Sequence, residues 1–310
     1  MPTAYITHPS FLLHDMGPHH PECPDRLTAI ADGLVASGVL AHLEPHTAPA
    51  ATREQLERVH SPTYIEQVER ASPSSGLRYL DPDTALCPHS LTAARHAAGA
   101  VVLAVDLVMS GKCNTAFCAV RPPGHHAESM RAMGFCLFNN VAVGIAHAMA
   151  VHGVERVAVI DFDVHHGNGT EEMFAGDPRV LMVSTFQYPL YPYSGVEPLG
   201  PNMVNVPLPP GAGSGAFREA VRTKWLPALE AHRPQLTMIS AGFDAHRDDP
   251  LAGLEFTDGD FAWVTRELCA VARKHGEGRV VSTLEGGYAL SALGRSAVEH
   301  VREFVAARSA

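Results

Sequence analysis

The chain has 310 residues, of which 46% are hydrophobic and 18% charged, and its formal net charge is −10. This acidic balance disfavours a nucleic-acid-binding protein, which needs a basic stripe on its surface. The N-terminus lacks the features of a secretory signal, and no apolar run approaches the roughly 18 to 20 residues that span a bilayer, so we expect a cytoplasmic protein without membrane contact.

Short apolar segments recur along the chain and predict buried parallel strands. They are continuous rather than alternating, as expected when helices cover both faces of a sheet. The segments are TAFCAV at 115–120, RVAVIDFDV at 156–164, VLMVSTF at 180–186, LTMISAGFDA at 236–245 and RVVSTLEGGY at 279–288. Helical patterns lie before, between and after them, at 25–37, 62–70, 89–110, 138–152, 215–231, 257–275 and 289–308. This alternation predicts one α/β domain over residues 1–310.

Polar residues cluster where four of these predicted strands end. The carboxyl ends of parallel strands meet at one edge of a sheet, where ligands bind, so the four segments are expected to converge on one site. In chain order, the residues are His125 and His126, then Asp161, Asp163 and His165, then Asp244, and finally Tyr288.

The segment that follows the strand at 156–164 offers two carboxylates and an imidazole. If the extended geometry persists, the two-residue period of a strand places Asp161, Asp163 and His165 on one side. Burying such a cluster is costly without a cation or compensating partners. With Asp244, Asp163 and His165 make three protein ligands and leave a position for water, as in catalytic metal sites. This set suits Zn²⁺ without excluding Fe²⁺, Mn²⁺ or Co²⁺, and a helix N-cap is the alternative for Asp244 alone.

Two further segments offer groups for proton transfer. In RPPGHHA at 121–127, the prolines stiffen the chain and Gly124 permits a close approach, so His125 and His126 could be held beside the metal. A histidine suits the base that a metal-bound water needs. In EGGY at 285–288, the phenol of Tyr288 can donate to a developing oxyanion. Taken singly, an exposed histidine pair and a packed tyrosine are the alternatives.

The combination resembles the histone deacetylase family of the arginase-deacetylase superfamily. RPPGHHA, DFDVHHGNGT, SAGFDAHRDDPLAG and LEGGY match the ordered motifs of that family, and HPECPDR at 20–26 matches its N-terminal motif. The resemblance covers nearly the whole chain and implies a single-domain fold with a central, mostly parallel eight-stranded sheet flanked by helices. Asn168, where class I enzymes typically carry Asp, and DPL at 249–251 are more similar to class II and bacterial class II-like members.

The resemblance also implies roles for the residues of the predicted site. Asp163, His165 and Asp244 would bind one Zn²⁺, with His126 as the general base and acid. His125 would be an electrostatic partner held by Asp161, and Tyr288 would polarise the acyl carbonyl. The Asn168 departure removes a carboxylate from the neighbourhood of His126 and lowers the expected basicity of that ring.

Other positions are implied to shape the acyl-lysine channel and a structural K⁺ site. Gly134, Phe135 and Tyr191 would line the channel. Leu251 stands where members selective for polyamines are expected to carry Glu at the channel mouth. The residues implied near the K⁺ are Asp161, Asp163, His165, Ser184 and Thr185.

The predicted function is therefore zinc-dependent hydrolysis of acetyl or related acyl groups on lysine side chains of a protein or peptide. An acetylpolyamine amidohydrolase, acting on a small acetylated amine, is the alternative. A two-metal ureohydrolase could use Asp244, His246 and Asp248, but it leaves the tandem histidines and LEGGY unexplained. A non-enzymatic binding protein for acylated ligands should have a broken catalytic position, and none is found. The native metal, acyl length and oligomeric state stay open.

Overall fold

The computed structural model describes residues 1–307, so 308–310, including the last residue of the helix predicted at 289–308, lie outside the described part. The strands are β1 Thr3–Thr7, β2 Leu43–Thr47, β3 Arg78–Asp81, β4 Thr84–Leu86, β5 Thr115–Cys118, β6 Val157–Asp161, β7 Val180–Gln187, β8 Met203–Leu208, β9 Leu236–Ala241 and β10 Val280–Leu284. The helices are α1 Asp25–Ala36, α2 Arg53–Glu57, α3 Pro62–Ala71, α4 Ser90–Met109, α5 Asn140–His152, α6 Asn168–Phe174, α7 Ser214–Ala220, α8 Leu226–His232, α9 Asp258–His275 and α10 Leu290–Ala306.

Eight strands form one sheet in the order β2-β1-β5-β10-β9-β6-β7-β8, and every neighbouring pair in it is parallel. Helices flank this sheet: α4 packs on α5, while α10 packs on both α1 and α9. The predicted α/β class and the eight-stranded sheet are thus confirmed. The four strands that precede the predicted site residues, β5, β10, β9 and β6, are contiguous in the sheet, so their carboxyl ends meet.

The apolar pattern did not reveal the strands at the two sides of the sheet. Both β2 and β8 are partly exposed, and each carries a proline, at Pro45 and Pro207. Proline is tolerated in edge strands because no neighbour needs its missing N–H group. The short strand β1 is buried between β2 and β5 and was also not predicted.

Four predicted strands end earlier than their apolar segments suggest. β5 stops at Cys118, β6 at Asp161, β9 at Ala241 and β10 at Leu284, so all the predicted site residues of these four segments except Asp161 lie in loops that follow the strands. The helix predicted at 215–231 is continuous but contains a π-helical turn at Val221–Trp225 between α7 and α8.

The long helix α4 corrects the expectation that no segment has the length and composition of a membrane span. Within its 20 residues, Ser90–Met109, an 18-residue stretch has a mean hydropathy of 1.5, and 67% of that stretch is buried inside the protein. It contacts β1, β5, β10 and α5. Its apolar character is therefore that of a core helix in this fold.

Candidate active site

The loops after β6 and β9 bring the predicted metal ligands together. His165 Nδ1 lies 3.0 Å from Asp163 Oδ1 and 3.3 Å from Asp244 Oδ2. One candidate ligand atom from each of these residues lies within 4.8 Å of the others. Asp163 and Asp244 are each 1% exposed. The structure thus places all three predicted ligands at one buried point.

The route by which the chain after β6 reaches this point differs from the predicted extended geometry. The backbone turns, because Asp163 N–H donates to Asp161 Oδ1 at 3.1 Å and His165 N–H donates to Asp163 Oδ1 at 2.8 Å. The carboxylates therefore organise the turn that carries them, and the side chains converge through this turn rather than through strand alternation.

The surroundings of the cluster fit a bound cation. Asp244 Oδ1 accepts from Val164 N–H at 2.9 Å, whereas the buried Asp244 Oδ2 has no hydrogen-bond partner among the described residues. Gly286 allows this close packing, since a Cβ there would lie 2.0 Å from Asp244 Oδ2. Two buried carboxylates and one imidazole with an unpartnered oxygen are the donor set of a divalent transition-metal site.

The pKa values of the cluster residues also fit a cation site. Burial and the charge of Asp163 raise the pKa of Asp244 to about 7. Burial lowers the pKa of His165, but the neighbouring carboxylates of Asp163 and Asp244 outweigh it and raise that pKa to about 10. Protons therefore occupy the cluster when no cation does, and metal binding should release protons.

The two adjacent histidines have opposite electrostatic environments. His125 Nδ1 is 2.9 Å from Asp161 Oδ2; burial lowers its pKa, but Asp163 and Asp161 raise it well above the ordinary value. His126 Nδ1 is 2.8 Å from Asn168 Oδ1, and burial together with the positive charges of His125 and His165 holds its pKa well below that value. These environments suit His125 to carry charge and His126 to be a neutral base, and the catalytic roles of both stay a prediction.

Three residues predicted to line the channel lie around these groups. The Tyr191 ring packs edge-on to His126 with centroids 5.3 Å apart, and the Phe135 ring lies 6.0 Å from that of Tyr288. Gly134 has φ 55°, and a Cβ there would lie 2.3 Å from His126 Cδ2. Aromatic faces and a close backbone therefore border the site, although their role in binding stays a prediction.

Tyr288 is held by a carboxylate that the sequence reading did not assign. Asp249 Oδ2 accepts from Tyr288 N–H at 2.7 Å, and Asp249 Oδ1 accepts from Leu251 N–H at 3.1 Å. Burial raises the pKa of Tyr288 well above its ordinary value, so its hydroxyl stays protonated and able to donate. Leu251 is partly exposed and belongs to the loop that Asp249 ties to Tyr288.

Three of the residues implied for K⁺, namely Asp161, Ser184 and Thr185, lie on the neighbouring strands β6 and β7. Asp161 on β6 is the register partner of Ser184 on β7. Ser184 Oγ bonds to Asn205 Oδ1 at 3.2 Å, whereas the buried Thr185 Oγ1 has no hydrogen-bond partner within residues 1–307. A buried carboxylate and an unpartnered hydroxyl are compatible with the predicted monovalent ion.

A network of buried charges supports the loops of the site and was missed by sequence reasoning. Glu22 accepts from Arg26 at 3.0 Å and from Arg121 at 2.5 Å, and Arg26 also donates to the carbonyls of Glu285 and Gly287. The Glu285 carboxylate accepts from the Gly124 and His125 N–H groups. These charged residues all stand inside the quoted motifs, which was the available signal.

His246 and Asp248, which a second metal ion would need, pair with other residues. His246 Nε2 lies 3.3 Å from Asp258, and Asp248 pairs with Arg295 at 3.2 Å. Neither His246 nor Asp248 belongs to any of the candidate metal-binding groups in the described part of the chain. The geometry therefore disfavours the two-metal ureohydrolase.

A buried cluster of candidate metal ligands thus lies beside two histidines at the carboxyl edge of the parallel sheet of an α/β protein. Residues 20–304 match the histone deacetylase domain. The chain is 38% identical to the histone deacetylase-like amidohydrolase of Pseudomonas aeruginosa, over 99% of this chain and 87% of that protein. The chain belongs to the histone deacetylase family.

Two further relatives bear on fold and substrate. The crystal structure of the HDA15 HD domain superposes with a TM-score of 0.92 at 34% identity, covering 98% of this chain and 90% of that one. The polyamine deacetylase HDAC10 of Mus musculus is 36% identical over 96% of this chain and 47% of its own length. The fold is thus that of a deacetylase, and relatives differ in the substrates for which they are named.

Proposed function

We propose that this protein is a zinc-dependent amidohydrolase that removes acetyl or related acyl groups from lysine side chains. The observation that carries the proposal is the buried cluster of Asp163, His165 and Asp244, with the ring of His126 5.7 Å from that of His165. A bound Zn²⁺ would supply Lewis-acid polarisation of the amide carbonyl and would lower the pKa of water.

The residues of the chain divide the proton transfers between them. His126 donates Nδ1–H to Asn168, which leaves its Nε2 lone pair free to take a proton from the attacking water. The resulting imidazolium can return that proton to the leaving amine. His125, charged and held by Asp161, keeps a positive charge beside the region where the oxyanion forms.

Tyr288 supplies a hydrogen-bond donor to the same oxyanion. Its raised pKa keeps the phenol protonated, and Asp249 fixes the backbone from which it projects. Such a donor is typically worth about 10²- to 10³-fold in kcat. Amide cleavage needs this contribution as well as the proton transfer by His126.

The channel residues favour a lysine chain over a polyamine. Phe135 and Tyr191 offer aromatic faces suited to a methylene stem, and Leu251 offers no charge to a second amine. The net charge of −10 acts the other way, since a negative potential attracts polyamines as well as basic peptides. The local, apolar character of Leu251 decides our preference for acyl-lysine.

The test is kcat/KM for acetyl-lysine peptides and for acetylspermidine, measured on metal-analysed protein and on Leu251→Glu. We expect the wild type to prefer acetyl-lysine and Leu251→Glu to shift the ratio toward the polyamine. Leu251→Gln, which has a similar size and no charge, should leave the ratio nearly unchanged. A tenfold wild-type preference for acetylspermidine would assign the protein to the polyamine deacetylases instead.

A further inference from the structure

The amide of Asn168 joins His126 to a second acidic residue, Glu128. Asn168 Oδ1 is 2.8 Å from His126 Nδ1, and Asn168 Nδ2 donates to Glu128 Oε1 at 2.8 Å. Asn168 Nδ2 also approaches Met133 Sδ at 3.3 Å. Asn168 is 8% exposed, so its two ends are satisfied by these neighbours rather than by bulk water.

The orientation of this amide decides which nitrogen of His126 carries the proton. If the amide were rotated by half a turn, its NH₂ group would donate to His126 Nδ1, and its carbonyl oxygen would face Glu128. The proton of His126 would then sit on Nε2, and the ring could not act there as a base. An ionised carboxylate accepts hydrogen bonds only, so Glu128 binds the NH₂ end and repels the carbonyl end.

We propose that Glu128 is a positioning residue that acts through Asn168 to hold His126 in the tautomer with the proton on Nδ1. This inference rests on the proposed function only in that it takes His126 to be the base. An aspartate at position 168 would need no such support, because both of its oxygens accept. An asparagine needs a second acceptor to orient it, and the geometry gives that role to Glu128.

The first test removes the Glu128 carboxylate that accepts from Asn168 and leaves the rest of its loop unchanged. Glu128→Leu should lower kcat by about tenfold or more, because a charge-assisted hydrogen bond orients the amide, with little change in KM. Glu128→Gln retains an acceptor and should keep most of kcat. The matched control is Glu172→Leu. Glu172 on α6 accepts from Ser129 N–H at 3.0 Å and from Ser129 Oγ–H at 2.6 Å, next to Glu128, and its carboxylate does not bond to the side-chain amide of Asn168. Its loss should leave kcat nearly unchanged.

A second test exploits the difference between amide and carboxylate. In the Asn168→Asp background, adding Glu128→Leu should raise kcat rather than lower it, because the two carboxylates would otherwise repel each other and no amide remains to orient. A residue that merely stiffens the loop would lower kcat in both backgrounds. An equal loss in the two backgrounds would therefore overturn the proposal.

The third test does not use activity. In ¹⁵N-histidine NMR spectra of the metal-loaded protein, the His126 signal is the one lost in His126→Ala. It should show the proton on Nδ1 in the wild type and move toward Nε2 in Glu128→Leu, or in Glu128→Ala if the leucine variant fails to fold. An unchanged tautomer in the folded variant would refute the role of Glu128. A protein without deacetylase activity that still showed the tautomer shift would instead refute the proposed function alone.

Discussion

Asp244 is the one predicted ligand that comes from the loop after β9, and its buried Oδ2 has no hydrogen-bond partner among the described residues, which makes it the most informative single residue of the cluster. We predict that Asp244→Ala loses both the metal and hydrolysis, because two remaining ligands hold a divalent ion poorly. Metal content by mass spectrometry and turnover on an acetyl-lysine peptide would be measured together. Asp248→Ala, an exposed carboxylate four residues away that pairs with Arg295, is the control and should keep both. Full metal occupancy with normal turnover in Asp244→Ala would remove the site assignment.

The two histidines and Tyr288 should separate chemistry from metal binding. We predict that His126→Ala and Tyr288→Phe lose about 10²-fold or more in kcat while retaining the metal, because these groups act on protons and the oxyanion. His125→Ala should be milder than His126→Ala. Single-turnover rates and metal analysis on the same samples check the ranking, and the reverse order would show that the two histidine roles are exchanged.

At the scale of elements, the Glu22 network joins α1 and the loops after β5 and β10. Glu22, Arg26 and Arg121 have side chains with no exposed surface. We predict that Glu22→Gln costs about 3 kcal/mol of unfolding free energy, because it leaves two buried guanidinium groups short of negative charge. Urea unfolding of the two proteins near neutral pH measures this. Glu57→Gln, which loses an exposed pair with Arg53, should have little effect.

The same network predicts how the stability that Glu22 contributes changes with pH. Burial raises the pKa of Glu22, but Arg121 and His14 outweigh it and hold that pKa well below its ordinary value. The stability due to the charge is therefore complete above the unfolded-state pKa of about 4.3 and is lost as the pH falls toward the folded-state value. The difference between wild type and Glu22→Gln should narrow on acidification, and a difference that widened there would contradict the assignment.

For the whole molecule, a K⁺ ion held by β6 and β7 would link ion binding to global stability. Because Asp161, Ser184 and Thr185 are buried between β6 and β7, an ion bound there should bind the folded state alone. We predict that K⁺ at about a hundredfold excess over its Kd raises Tm by about 5 °C, relative to tetramethylammonium at equal ionic strength. Coincident melting curves after thorough ion removal would count against an exchangeable K⁺ site.

The central strands and the candidate site residues could be predicted from local sequence. The continuous apolar segments predict the central strands, because a strand buried on both faces has no polar positions. The carboxylates and histidines that end these segments identify the chemistry, since ligand type follows from the side chain itself. The edge strands β2 and β8 could not be predicted, because partly exposed strands with a proline lack the continuous apolar pattern.

The contacts between distant parts of the chain were decided by the tertiary structure alone. The order β5-β10-β9-β6 joins strands that are far apart in sequence, and only this order brings Asp244 to Asp163 and Glu285 to Gly124. Arg26 donates to the carbonyl of Gly287, 261 residues away, and Glu128 reaches Asn168 across 40 residues. Local sequence propensity reflects interactions among a few neighbouring residues. The contacts between distant residues form instead because a buried charge is costly unless a partner of opposite charge or a hydrogen-bonding group lies beside it.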